Sequence, residues 1–453
     1  MPHPPADQRE RYDRLKADPR GAFDRERPAI FSPAAAAQDE GNGRTTVKRF
    51  GPLYLPSEYT GWSEEAAAHV ESAYLGDWSS LAKVHVRGPE ALSFLGWLGM
   101  NDLSRFELGQ VKHHVQLDEH GRVASEGILL RLGDDEFLYT AGSGDWLLWQ
   151  LSQGEWDATA DDISPELFIF GVQGPRSIHV LERVLGASLR DLRFNRSRPA
   201  RLGGTDVRVL RTGISGELGY EVHGPADAAD QVWRAIRDAG ADDGLKQLGL
   251  RAQPVQHIEA GIATNGLDYF PAAAITPGAP WQFTQGGIEG SFVPTGGFAD
   301  YFRKPVELGW QVRGDFTHDF LGKDALLADL AAGEPARVLA GLIWNAGDVA
   351  SVLTAFLDDG PLPEPMELPR VAGPAFDTVL KDGAVVGVAT GRTVSPTLRR
   401  MISLVTIARE HSAPGTEVVV VWGRPGTPQR EIRATVAALP FKPDNRRVDV
   451  SQL

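Results

Sequence analysis

From Phe50 onward the chain switches repeatedly between two hydrophobic periods. LAKVHVRG (81–88) alternates apolar and polar positions as a half-buried strand does. PEALSFLGWLG (89–99) then spaces its apolar residues as a helix does. VKHHVQLDEHGRVASEGILLRL (111–132) reads as two strands joined by a turn around Glu119–Arg122. DEFLYTAG is a further strand, and DWLLWQLSQ a helix. The order then recurs. LFIFGVQG predicts a strand and PRSIHVLERVLG a helix with Pro175 near its start. DVRVLRTG and GYEVHGP predict strands, and ADAADQVWRAIRDAG a helix. Two such passages predict a duplicated α+β unit, antiparallel sheets backed by helices.

Beyond this, a Gly/Pro-rich stretch at 271–308 leads to ELGWQV, and GEPARVLAGLIW starts a new segment. The short strands DTVLKDGAVVGVATG, MISLVTIA, GTEVVVVWG and REIRATVAAL predict a small all-β barrel. The expected organisation is an N-terminal arm or lid over 1–45, in which Tyr12, Phe23 and Phe31 give it something to bury. A duplicated region follows over 46–335, with units at 46–165 and 166–335. The barrel occupies 336–453 and carries a Pro-rich insert at 358–372.

Composition narrows the chemistry. None of the 453 residues is Cys, which removes disulfides, thiolate metal sites, cysteine-held clusters and a cysteine nucleophile. A net charge of −14 makes a general nucleic-acid binder a poor reading. No apolar run is long enough to span a membrane and the N-terminus lacks a signal-peptide core, so a cytoplasmic location is expected. The eleven His are scattered without H-E-x-x-H, so no metal site is expected. His113 and His114, as strand neighbours, point to opposite faces. GISGELG (213–219) has neither the spacing nor the following helix of a dinucleotide loop, and it is not G-x-S-x-G.

What remains is a set of ordered signatures: FLGWLGMNDL (94–103), LFIFGVQGPRS (167–177), RTGISGELGYEV (211–222), LGLRAQPVQHIEAG (248–261), ELGWQV (307–312) and GVATGRTVSPTLRRMISL (387–404). Through them the chain resembles the aminomethyltransferase (glycine cleavage T-protein) superfamily. That resemblance implies a three-domain cloverleaf with a C-terminal barrel. SEYTGW (57–62), the insert DGPLPEPMELP (359–369) and RRMISL (399–404) resemble its tetrahydrofolate-dependent aromatic O-demethylases, the vanillate/syringate type.

The resemblance implies tetrahydrofolate as cofactor and a small methoxyaromatic compound, an aromatic acid, as substrate, with neither nucleic acid nor membrane as partner. A pterin presents a ring N–H beside a 2-amino group, which one carboxylate can accept together; the family Glu that does so maps onto Glu221. Arg251 maps onto an Arg that helps to hold the folate. Gln173 shapes a turn or faces the ligand, Trp310 stacks on the folate or fills a core position, and Glu259 braces neighbouring loops. Candidates for assisting the leaving oxygen are Tyr59, Gln253, His257 and Tyr269.

Departures matter as much. Ser125 and Glu126 stand where T-proteins carry paired Asp, which argues against aminomethyl transfer. Gln253 and Ile262 stand where the demethylases look aromatic, and no Arg lies near Ala141–Ser143 to pair a substrate carboxylate. The expected reaction is methyl transfer from an aromatic methyl ether to N5 of tetrahydrofolate. The alternative is a related transferase acting on an N-methyl, S-methyl or aminomethyl donor.

Overall fold

A computed structural model describes residues 31–40, 46–280, 287–310, 312, 314–333, 335–368 and 373–453. They form two large sheets, antiparallel but for one strand pair, with helices on their outer faces, a small hairpin of Val47–Phe50 and Leu53–Pro56, and a closed barrel of six strands. The first sheet runs Val111–Leu117, Val123–Arg131, Glu136–Ala141, Ala82–Arg87, Thr159–Asp162. Helices Ala91–Leu98 and Asp145–Gln153 cover one face, burying Phe94, Leu95, Leu98, Trp146 and Leu147 against Val84, Val86, Leu129 and Phe137.

The second sheet runs Arg196–Leu202, Thr205–Arg211, Gly219–Pro225, Leu167–Gln173, Tyr74–Asp77, Lys246–Leu248; only the last pair is parallel. Tyr74–Asp77 therefore carries chain from the first expected unit into the second sheet. Helix Ala229–Ala239 shows why the outer face is covered as it is. Ala229, Val232, Trp233 and Ile236 share one side and are buried, whereas Asp230, Arg234 and Arg237 lie on the other. Each of the large apolar residues contributes about 1.5–3 kcal/mol of burial. Helix Ser177–Leu185 packs beside it and ends at Gly186, whose left-handed φ of 62° suits glycine at that position.

The barrel joins Arg337–Trp344, Arg400–Ala408, Ala384–Ser395, Phe376–Lys381, Glu417–Trp422 and Arg430–Ala437 around a core that includes Leu342, Val405 and Val420. Part of the Pro-rich insert is fastened to it. Met366 is buried in the barrel core, and the Glu364 carbonyl accepts a 2.8 Å hydrogen bond from Trp422 Nε1. Among the described residues no helix is long and apolar enough to cross a membrane.

Of the expected arm, Phe31 packs on Tyr54, with ring centroids 5.6 Å apart. Ser32 and Gln38 both hydrogen-bond the buried Asp77 carboxylate, and Glu40 pairs with Arg234 and Arg237 of the second lobe. Tyr12 and Phe23 lie outside the described residues.

Candidate active site

Strand alternation divides the second sheet into two faces. Tyr220 and Val222 point into the helix-covered core, which sends Glu221 and His223 to the opposite face. One cross-strand row there reads Leu210, Glu221, Gly171, Gly76. A Cβ on Gly171 would lie 2.3 Å from Trp78 Nε1, and one on Gly76 would lie 3.1 Å from the Tyr74 ring. The two glycines thus make room for aromatic rings laid on the sheet beside Glu221. Trp78 and Tyr74 continue into a cluster with Trp62, Leu248, Ala252 and Val255.

Arg251 reaches the same cluster. Its guanidinium lies 6.0 Å from the Trp62 ring centre, and its Nη1 bonds Glu58 at 3.2 Å. Glu221 and Arg251, 30 residues apart in sequence, therefore border one aromatic patch. Glu221 Oε2 accepts from His223 Nε2 at 2.9 Å, and Oε1 has no donor among the described residues. Two further groups are buried without a partner: His223 Nδ1 and the Tyr74 hydroxyl. Burial, and then the charge of Glu221, push that hydroxyl's pKa well up. A largely buried carboxylate with an open oxygen, flanked by orphaned polar atoms and aromatic rings, fits a flat ligand offering paired N–H donors.

A second polar group sits where the first sheet meets the barrel. Glu126 accepts from His113 Nε2 at 2.8 Å and from the Tyr269 hydroxyl at 3.4 Å. Trp310 sets its ring edge-on to both, with centroids 4.9 Å from His113 and 6.5 Å from Tyr269. Tyr269 is fully buried, and its hydroxyl pKa is raised by burial and then by Glu126. Ser125, one residue from Glu126, faces the other way and bonds the Tyr139 hydroxyl at 3.0 Å.

Gln173 is buried; its Oε1 accepts from Ser215 N at 3.2 Å, bracing the GISGELG loop. That loop is also locked by Glu217, which binds Lys442 at 2.6 Å and Asn445 at 2.8 Å. Gln253 and His257 lie on helix Gln253–Glu259, both nearly buried, with His257 Nε2 3.4 Å from Asp268. Tyr59 is placed elsewhere. It stacks on Trp233 at 6.5 Å in the helix-covered core, so the second sheet stands between it and Glu221. His223 and Trp78 are not singled out by the sequence, although the i, i+2 spacing of Glu221 and His223 puts them on one face; His113 and Glu126 are, but their pairing is not.

Replacing Gly171 by Ala tests the ring-on-glycine arrangement. The added methyl cannot coexist with Trp78 at 2.3 Å, so the indole must move. The expected cost is about 1–3 kcal/mol, read as a lower thermal midpoint together with altered Trp emission.

Two family descriptions match: the GCVT N-terminal domain over residues 26–276, and the glycine cleavage T-protein C-terminal barrel domain over 367–442. The chain is 36% identical to the sesamin methylene transferase of Sinomonas sp. (strain No.22), over 88% of this chain and 93% of that one. It is 30% identical to the syringate O-demethylase of Sphingobium sp. (strain NBRC 103272 / SYK-6), over 85% and 90%. The fold matches the glycine cleavage system aminomethyltransferase T from Bartonella henselae with a TM-score of 0.68 at 20% identity, covering 92% of this chain and 99% of that one. The chain belongs to the aminomethyltransferase (glycine cleavage T-protein) superfamily of folate-dependent one-carbon transferases.

Proposed function

We propose that this protein is a tetrahydrofolate-dependent O-demethylase, moving a methyl group from a methoxylated aromatic compound to N5 of tetrahydrofolate and releasing a phenol. The observation that carries the reading is Glu221, a carboxylate with one open oxygen beside Trp78, Tyr74 and the Arg251-bearing cluster. Similarity to the syringate O-demethylase supports the donor class.

Tetrahydrofolate supplies N5 as the nucleophile that takes up the carbon. Glu221 would hold the pterin edge and Arg251 the acidic end, with Trp310 at the seam between sheet and barrel. An in-line displacement depends on alignment, for which Glu221, His113 and Glu126 would offer fixed points on strands. A phenolate, with pKa near ~10, is a poor leaving group, so a hydrogen-bond or proton donor must face it. Tyr269, whose hydroxyl would turn from Glu126 to the leaving oxygen, is the donor we favour; Gln253 and His257, on helix Gln253–Glu259, would orient the substrate. Tyr59 is not carried into this set, because the sheet separates it from Glu221.

A second reading rests on the relative at 36% identity, a methylene transferase. There the carbon unit would be a methylene held between two phenolic oxygens. An aminomethyl donor is disfavoured, because Ser125 replaces the family carboxylate and is spent on Tyr139.

The test is incubation with tetrahydrofolate and a panel of methoxybenzoates, methoxyphenols, methylenedioxybenzenes, dimethylglycine and dimethylsulfoniopropionate. Accumulation of 5-methyltetrahydrofolate from a methoxyaromatic is the expected result. Turnover of the amine or sulfonium with none of any methoxyaromatic would overturn the reading, and 5,10-methylenetetrahydrofolate from a methylenedioxybenzene alone would select the second.

A further inference from the structure

The barrel carries a groove of about 730 Å³ that shares no residue with the site described above. Its apolar floor includes Val349, Leu353, Leu380, Val394 and Met401, and Leu353 is 52% exposed. That volume lies within the range of small-molecule sites.

The charges around it are uneven. Lys381, Arg399 and Arg400 line the groove, and none has an ion pair or side-chain hydrogen bond among the described residues. A fourth cation, Arg433, is already committed to Asp348 at 2.8 Å. Asp382 and Glu417 also line the groove, two anions against the three cations that lack a partner. In a chain of net charge −14, such a local excess of uncompensated cations draws an anion.

The wall bearing the arginines is fixed in place. Arg399 has a φ of 54°, a left-handed conformation that a non-glycine residue adopts at a cost. The turn before it is held from below: Leu398 N bonds Ser395 Oγ at 2.9 Å, while Ser395 and Thr397 bond Glu259 at 2.6 and 2.9 Å. On the opposite wall, helix Ala346–Thr354 is capped by Asn345, whose side chain accepts from Asp348 N at 3.0 Å. Both walls are thus preorganised.

We propose that this groove binds an organic acid with a flat apolar body, an aromatic carboxylate, at a second site distinct from that of one-carbon transfer. The carboxylate meets Arg399 and Arg400, whose planar forks donate paired hydrogen bonds to it and whose faces stack on aromatic rings. The ring lies on the floor between Val349, Leu353 and Met401.

The probe is naphthalene-2-carboxylate, titrated calorimetrically at low ionic strength, with naphthalene-2-carboxamide as its uncharged twin. In the double variant Arg399→Glu/Arg400→Glu the acid's affinity is expected to fall about ten-fold or more, while the amide's stays unchanged. Leu353→Asp weakens both, and Glu221→Ala weakens neither. Thermal midpoints of each variant check that the fold is kept. Equal affinity of the acid for wild type and the double variant, loss of its binding in Glu221→Ala, or no saturable binding to wild type would each overturn the proposal.

Discussion

Replacing Glu221 by Ala is expected to weaken tetrahydrofolate binding roughly a hundredfold while leaving the protein folded. A hydrogen bond to a charged group is worth about 1.5–3 kcal/mol, and a pterin edge paired with one carboxylate would lose two of them. A loss of about 3 kcal/mol corresponds to roughly two orders of magnitude in Kd. The variant also strips His223 Nε2 of its acceptor, in a residue whose Nδ1 is already buried without a partner. Glu221→Gln separates the two effects. It keeps an oxygen for one donor but turns an NH2 toward the other, so it also binds weakly although the pocket stays filled. Calorimetric titration with tetrahydrofolate is the measurement. Unchanged affinity in Glu221→Ala would remove this residue from the cofactor site, whatever became of the methyl donor.

Glu221 could be singled out from sequence because its motif is short and local. The residues that complete its surroundings could not. Trp78 lies over Gly171, the cross-strand neighbour of Glu221 and nearly a hundred positions further along than Trp78, and Tyr269 meets Glu126 across 143 positions. Strand alternation gives a side chain's face but not the neighbour it meets there. The same limit explains Tyr59, which precedes a helix near Glu221's sheet yet packs on the far side of it against Trp233.

Strands were legible where one face was apolar, as in VKHHVQL and LFIFGVQ. They were illegible at sheet edges. Arg196–Leu202 reads RSRPARL, carries Pro199, and occupies the outer position of the second sheet. An edge strand tolerates proline and polar residues because one side needs no partner, and those are the features that hide it. Thr159–Asp162, at an edge of the first sheet, is hidden for the same reason. Tyr74–Asp77 was missed differently. It is fully buried, but four residues that include a glycine show no period.

Replacing Glu259 by Ala is expected to cost about 3–5 kcal/mol of stability, the usual consequence of breaking a buried charged pair from one side. Glu259 and His69 are both fully buried, and Oε2 lies 3.0 Å from His69 Nε2. His69 Nδ1 lies 2.6 Å from the Ala66 carbonyl, so both ring nitrogens face acceptors. Oε1 takes bonds from Ser395 and Thr397 of the barrel. One carboxylate therefore ties helix Trp62–Glu71, helix Gln253–Glu259 and the barrel together, and its removal orphans three donors, those of His69 and Ser395 fully buried. Burial by itself pushes its pKa up. The bonds from His69, Ser395 and Thr397 outweigh that and hold it below the ordinary 4.5. A carboxyl whose folded pKa is depressed lends stability above its unfolded value and loses it as pH falls through the folded one. The wild-type thermal midpoint should therefore drop steeply below about pH 4.5, whereas Glu259→Gln, lower at neutral pH, should descend along a shallower acid limb. Parallel curves would mean that other carboxylates carry the acid sensitivity. A midpoint unchanged at pH 7 in Glu259→Ala would mean that the two helices and the barrel are held together without this contact.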